Sequence, residues 1–84
     1  MEKITRRALA RLINGDEWQA RSALVAWLGE GGARTVDEAV AAGLLEERRV
    51  VVRPPYKRTE VRATRVGIMA HADAIRPADE QGAT

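Results

Sequence analysis

The sequence predicts a small α+β domain, and three observations carry that prediction. Apolar residues recur at helical spacing through the first half of the chain. Residues 49–53 are rich in β-branched valine, and an alternating segment at 59–64 follows them. A helical pattern returns after Thr64. We therefore expect three N-terminal helices, a two-stranded hairpin and a C-terminal helix, with room for a third short strand.

Length and composition limit what such a domain contains. The chain has 84 residues, no cysteine and few aromatics. This length predicts one domain over residues 1–76, followed by a disordered polar tail at 77–84. The core should be built from Leu, Val, Ile and Ala, with at least one of Trp18 and Trp27 inside it. The absence of cysteine excludes disulfides, thiolate metal sites and a cysteine nucleophile.

The first helix is predicted over residues 5–14. The Thr5 hydroxyl can cap its first turn, and Asn14-Gly15 can end it because both residues tolerate positive φ. The spacing places four apolar side chains on the buried face, namely Ala8, Leu9, Leu12 and Ile13.

The second helix is predicted to begin at Asp16, whose carboxylate can cap it. Trp18 and Trp27 would both belong to this helix, which reaches Leu28. Its apolar surface is wider than one stripe, which is typical of a well-buried helix. The glycines that follow would then form a loop, namely Gly29, Gly31 and Gly32.

A short third helix is predicted over residues 36–42. Thr35 and Glu38 have the spacing of a capping box, with threonine at the cap and glutamate three residues later. Gly43 is the expected residue after the helix, and Leu44 is placed to pack back onto it.

The hairpin is predicted from two strands around a turn of Pro54-Pro55-Tyr56-Lys57, since neither proline can donate to a strand ladder. In the second strand, Val61 and Ala63 would share one face and the polar residues the other. Thr64 should cap the last helix, which carries a stripe of Ile68, Ala72 and Ile75 and ends at Pro77.

Charge is distributed unevenly along the chain. Residues 1–13 carry a net charge of +3, residues 14–47 carry −5, and residues 48–65 carry +6. A basic block that coincides with a predicted hairpin favours a nucleic-acid partner. A solvated hairpin whose charges prevent aggregation of an edge strand is the simpler alternative.

The stretch Ala42-Gly43-Leu44-Leu45, the basic hairpin and Thr64-x-x-Gly67 together resemble the second half of a winged helix-turn-helix domain. The resemblance is to transcriptional regulators of the MarR and PadR type and covers about residues 35–75. It implies a small winged-helix fold and contact with double-stranded DNA. In such a fold the third helix would enter the major groove. Here that helix is short and presents Asp37 and Glu38, which repel phosphate.

The predicted function is therefore a small DNA-binding protein, a transcriptional regulator whose basic wing contacts phosphates or the minor groove. The first helix would add charge contacts. The candidate nucleic-acid-binding residues are Arg34, Thr35, Arg49, Arg53, Lys57, Arg58, Arg62, Lys3 and Arg7.

A second interpretation is a winged-helix module that binds a protein partner and no DNA, such as a bacterial or phage accessory protein. The acidic third helix favours it and the basic hairpin opposes it. A homodimer through the last helix is expected under either interpretation, since two-fold dimers are the commonest assemblies.

Enzyme, cofactor and metal functions are not expected. His71 is the single histidine and Ser22 the single serine, so neither a metal cluster nor a nucleophile–base pair can be assembled from them. We expect His71 to be a solvated position on the last helix. The longest apolar run is far shorter than a membrane span, and no signal segment is evident. These features predict a cytoplasmic protein without a membrane partner, and the many arginines and alanines favour a bacterial or phage source.

Overall fold

The computed structural model describes residues 1–15 and 18–75. These residues form an α+β fold with four helices and one three-stranded antiparallel sheet of strand order β1-β3-β2, which confirms the predicted α+β class. The predicted cap at Asp16, the stop at Pro77 and the tail at 77–84 lie outside the described residues. The elements in chain order are α1 (Lys3–Gly15), β1 (Gln19–Ala20), α2 (Arg21–Leu28), α3 (Gly32–Ala41), β2 (Leu45–Arg53), β3 (Tyr56–Ala63) and α4 (Arg65–Ala74).

The core is aliphatic, as expected, and lies between α1, α2, α3 and the sheet. Ile4 and Ile13 pack only at its edge. The prediction that a tryptophan belongs to the core is wrong, because Trp18 is half-buried and Trp27 is 42% exposed. The buried apolar residues are Ala8, Leu9, Leu12, Leu24, Leu28, Val36, Ala39, Leu45 and Val61.

Helix α1 begins at Lys3, so Thr5 lies inside its first turn and the predicted N-cap is wrong. The main-chain carbonyl of Glu2 already accepts a hydrogen bond from the Arg6 N–H at 3.1 Å, which extends the helix before Thr5. The helix includes Gly15, one residue beyond the predicted range, and Gly15 does not have the positive φ that the predicted stop relied on.

Trp18 does not lie on α2, contrary to the prediction. The two residues after it form β1, which pairs Gln19 with Val61 of β3, and α2 begins only at Arg21. Pairing with β3 is a tertiary interaction, and it overrides the local pattern that assigned Trp18 to the second helix. The two tryptophans therefore belong to separate parts of the surface.

Helix α3 begins at Gly32, so Thr35 is not its N-cap and that prediction is also wrong. Gly31 holds the capping position with φ of +80°, and its carbonyl accepts from the Thr35 N–H at 3.0 Å. Thr35 itself is only 6% exposed, in the first turn of the helix.

The end of α3 follows the prediction closely. Gly43 has φ of +78°, and its N–H donates to the Val40 carbonyl at 3.0 Å. The Leu44 N–H donates to the Ala39 carbonyl at 2.9 Å, which completes a Schellman motif. Leu44 then packs against the core, as predicted.

The hairpin is longer than predicted. Strand β2 already begins at Leu45, four residues before the predicted strand. Strand β3 begins at Tyr56, so the prediction that Tyr56 and Lys57 belong to the turn is wrong. The register pairs Leu45 with Ala63 near the core and Val51 with Lys57 near the Pro54-Pro55 connection. Residues 51–58 are all exposed, so this half of the hairpin projects away from the core.

Thr64 joins the hairpin to α4 and caps the helix as predicted. Its Oγ1 accepts from the Gly67 N–H at 3.0 Å and donates to the Gly43 carbonyl at 2.6 Å. Gly67 is the buried residue of α4, whereas Ile68 and Ile75 are exposed. The predicted apolar stripe therefore faces away from the core.

Candidate functional surfaces

The hairpin tip, which we define as residues 49–58, carries four of the candidate cations, and three of them are unpaired. Arg49, Arg53 and Lys57 are exposed and have no carboxylate within ion-pair distance among the described residues. The register places Arg49 and Lys57 on the same face of the hairpin, since their cross-strand partners are Thr59 and Val51. Tyr56 adds an aromatic ring that is 70% exposed.

Arg58 lies on the opposite face of the hairpin and is neutralised there. The carboxylate of Glu60 accepts from Arg58 Nη2 at 2.6 Å and from Arg48 Nη2 at 2.8 Å, although Glu60 is only 4% exposed. The pKa of Glu60 is lowered, mainly by the hydrogen bond from Arg48. Desolvation by burial raises this pKa, and the hydrogen bond from Arg58 lowers it further. The alternation predicted Glu60 on the polar face of this strand, and the structure makes it the buried centre of an ion cluster there.

Arg62 is also engaged within the chain. It pairs with Glu46, and its guanidinium carbon lies 4.6 Å from the centre of the Trp18 ring. Arg48 lies over the same ring at 4.4 Å. The outer face of the sheet thus carries a connected layer in which two carboxylates offset three guanidiniums, and little free charge remains there for phosphate.

The exposed side of α3 is acidic, as predicted, and its ions are paired. Arg34 lies 2.8 Å from Glu38, which raises the pKa of the Arg34 guanidinium. Asp37 accepts from Arg21 of α2 at 2.8 Å. Thr35 is buried, so its side chain does not line this surface. Nothing on α3 therefore offers an unpaired donor that could contact a base.

Helix α1 holds the largest group of unpaired cations among residues 1–15 and 18–75. Lys3 and Arg7 were sequence candidates, and the structure adds Arg6 and Arg11 on the same side of the helix. Arg7 and Arg11 lie 4.9 and 4.7 Å from the centre of the Trp27 ring. We call this surface the α1 basic face and define it by Lys3, Arg6, Arg7 and Arg11.

Two clefts border the α1 basic face. One, of about 600 Å³, lies between α1 and α2, and Arg7, Arg11, Asn14, Gln19 and Trp27 line it. The other, of about 340 Å³, lies between α1 and α4, where His71 faces Lys3 and Arg6. His71 is half-buried, so the expectation of a solvated histidine is wrong.

Sequence spacing alone could not identify the first cleft. The i, i+4 spacing of Arg7 and Arg11 showed that they share a helix face, but the aromatic ring beneath them comes from another helix. The prediction placed at least one of Trp18 and Trp27 in the core without saying which, so the contact of Trp27 with two arginines was missed.

The comparisons with known proteins leave the function to be argued from these surfaces. No protein-family model matches the chain, and no curated protein or solved structure gives a significant match. Across the described part of the chain, no His, Cys, Asp and Glu residues gather into a group that could hold a metal ion. None of the described helices has the length and apolar character of a membrane span.

Proposed function

We propose that the chain is a small winged-helix protein that binds double-stranded DNA through the tip of its hairpin. The order of elements and the sheet order β1-β3-β2 support this arrangement. So do the Gly43 turn after α3 and the Thr64 cap before α4, on which the resemblance to MarR- and PadR-type regulators depends.

The observation that carries the proposal is the isolated charge of the hairpin tip. Arg49, Arg53 and Lys57 project from the core without an acidic partner among the described residues, beside the exposed ring of Tyr56. Such cations gain favourable free energy from phosphates by releasing condensed counterions. The tyrosine ring can lie against sugar or base in the groove.

Helix α3 does not act as a base-reading helix in this proposal. Asp37 and Glu38 on its exposed side would repel the phosphates that flank the major groove. Discrimination between operators would instead depend on groove width and DNA flexibility, which a cationic hairpin in the minor groove detects. We therefore expect modest sequence preference from a regulator of this kind.

The test is the salt dependence of duplex binding by the double variant Arg53→Ala/Lys57→Ala. Each lost phosphate contact should reduce the slope of log K against log salt by about 0.9, so two contacts should reduce it by roughly 1.8. The matched control is made with single variants: Arg65→Ala removes one positive charge from an exposed helical position, and it is compared with Lys57→Ala, whose slope should fall by about 0.9. An equal change of slope in both single variants, or no duplex binding by the unmodified chain at low salt, would contradict the proposal.

A protein-binding module is the second candidate, and a specific observation favours it. Val51 and Val52 are more than half exposed on the hairpin tip, next to Tyr56. Exposed valines and an aromatic ring contribute apolar contact to a protein interface, whereas phosphates gain little from them. Absence of duplex binding, together with binding of an acidic protein that Val52→Lys abolishes, would favour this function.

A further inference from the structure

The buried but unpartnered nitrogens of the structure all lie beside the α1 basic face. Within residues 1–15 and 18–75, the buried side-chain nitrogens without a hydrogen-bond partner are Arg6 Nε, Arg11 Nε and His71 Nδ1. Buried polar groups are normally paired, because an unpaired one loses its hydration without compensation. Arg6 and Arg11 belong to α1 and His71 belongs to α4, so these nitrogens border both clefts beside the α1 basic face. Arg11 is the one that lines the cleft next to Trp27, and an anion there could accept a hydrogen bond from it.

The two tryptophan clusters of the chain differ in one respect. Over Trp18, the guanidiniums of Arg48 and Arg62 are each paired with a carboxylate. Over Trp27, Arg7 and Arg11 have no carboxylate within 4 Å among the described residues. The Trp18 cluster is therefore electrostatically complete, whereas the Trp27 cluster keeps two adjacent positive charges that an anion could neutralise.

The geometry of the Trp27 cluster limits the chemistry of that anion. Two arginines one helical turn apart present donors that suit a phosphate, which accepts several charge-assisted hydrogen bonds at once. Trp27 is 42% exposed and, with the guanidinium planes over it, provides a flat surface on which a base can stack. Asn14 also lines the cleft, and its side-chain amide can pair with the polar edge of a base. The Gln19 amide nitrogen donates to the Arg11 carbonyl at 3.3 Å, which leaves its oxygen as an acceptor.

We propose that the cleft between α1 and α2 binds a nucleoside phosphate. The phosphate lies between Arg7 and Arg11, and the base stacks on the layer formed by their guanidiniums and Trp27. The volume of about 600 Å³ is within the range of small-ligand sites and accommodates one nucleotide. This site is separate from the hairpin tip, so it does not depend on the proposed binding of duplex DNA.

The test uses the fluorescence of Trp27 in a Trp18→Phe background, which removes the other indole and keeps an aromatic ring at position 18. Titration with AMP should give a saturable change, while adenosine and inorganic phosphate, each supplying half of the contacts, should bind more weakly. Arg7→Gln and Arg11→Gln should each weaken AMP binding roughly tenfold or more, since each removes charge-assisted hydrogen bonds. Circular dichroism checks that the variants are folded, and calorimetry with the unmodified chain checks the background substitution.

Arg53→Ala/Lys57→Ala is the matched control and should leave AMP binding unchanged. The nucleoside phosphate could be a free nucleotide or the 5′ end of a nucleic-acid strand, and a short 5′-phosphorylated single strand distinguishes them. Tighter binding of this strand than of AMP identifies a strand end, and weaker binding identifies a free nucleotide. Equal affinity for AMP and inorganic phosphate, absence of saturation by about 1 mM, or an unchanged affinity in Arg7→Gln would each overturn the proposal.

Discussion

Gly67 lies directly against the main-chain carbonyl of Leu44, so close that a Cβ at position 67 would overlap the carbonyl oxygen and lie 2.9 Å from the carbonyl carbon. The same carbonyl accepts from the Thr64 N–H at 3.0 Å, which fixes the start of α4 at this point. The Thr64-x-x-Gly67 pattern therefore has two physical reasons: the threonine caps the helix, and the glycine lets the helix approach the chain that leaves α3.

Replacing Gly67 with alanine should destabilise the domain by about 1–3 kcal/mol, because the added methyl meets the Leu44 carbonyl and the Leu9 side chain. The measurement is the free energy of unfolding from urea titration. Ala72→Ser, at an exposed position of the same helix, is the control and should stay within about 0.5 kcal/mol of the unmodified chain. Equal stability of the two variants would show that α4 is not docked through Gly67.

Replacing Gly43 with valine should also destabilise the domain, for a different reason. A Cβ at this position would meet open space, but φ of +78° is strained for a β-branched residue. We expect a cost of roughly 1–3 kcal/mol, measured as a lower midpoint of thermal unfolding. Gly43→Asn should cost less, because asparagine tolerates this backbone conformation. An unchanged midpoint in Gly43→Val would contradict the role of Gly43 in ending α3.

The two turns that the sequence predicted correctly depend on local chemistry. Gly43 ends α3 because of its backbone freedom, and Thr64 caps α4 through its own hydroxyl, so a short stretch of sequence contains the reason. The start of α2 depends on a distant residue. Pairing of Gln19 with Val61 removes Trp18 from the helical pattern, and no local signal reports a strand partner about forty residues away.

For the candidate surfaces too, the sequence predicted what depends on local chemistry and missed what depends on contacts between distant residues. The sequence located the cations of the hairpin, but it could not show which of them an acid would neutralise. Arg58 is neutralised by Glu60, the residue two positions away on the same strand face, and Arg62 by Glu46 across the sheet. Arg49, Arg53 and Lys57 remain unpaired among the described residues. The difference between paired and unpaired cations depends on strand register and burial. It reduces the candidate phosphate-binding residues of the hairpin to these three.

Stability should fall at acidic pH through the protonation of Glu60. Its pKa is lowered in the folded chain, mainly by the hydrogen bond from Arg48, relative to about 4.3 for an ordinary glutamate. Its stabilising contribution is thus fully present above that value and is lost as the pH falls through the lowered folded pKa. Thermal unfolding of the unmodified chain and of Glu60→Gln should differ at pH 7 and converge towards pH 3. A difference that stays constant over this range would exclude Glu60 as the titrating group.

The last prediction concerns association through α4. Four large apolar side chains of this segment are exposed, although Gly67 buries the opposite side of the helix. An exposed helix face of this kind can pack against its own copy around a two-fold axis, where each contact is made twice. We expect a homodimer at micromolar concentration, seen as twice the chain mass in sedimentation equilibrium. The exposed residues are Val66, Ile68, Met69 and Ile75.

Ile68→Lys should shift that dimer to monomer, because it places a charge within the apolar face at a position that already faces solvent in the single chain. The unfolding free energy of the monomer should change little, since position 68 does not belong to the core. Val52→Lys makes the same chemical change on the hairpin tip and should leave the dimer intact. A monomeric mass for the unmodified chain at high concentration would contradict the prediction. A dimer that dissociates in Val52→Lys but not in Ile68→Lys would also contradict it, because the contact would then lie on the hairpin and not on α4.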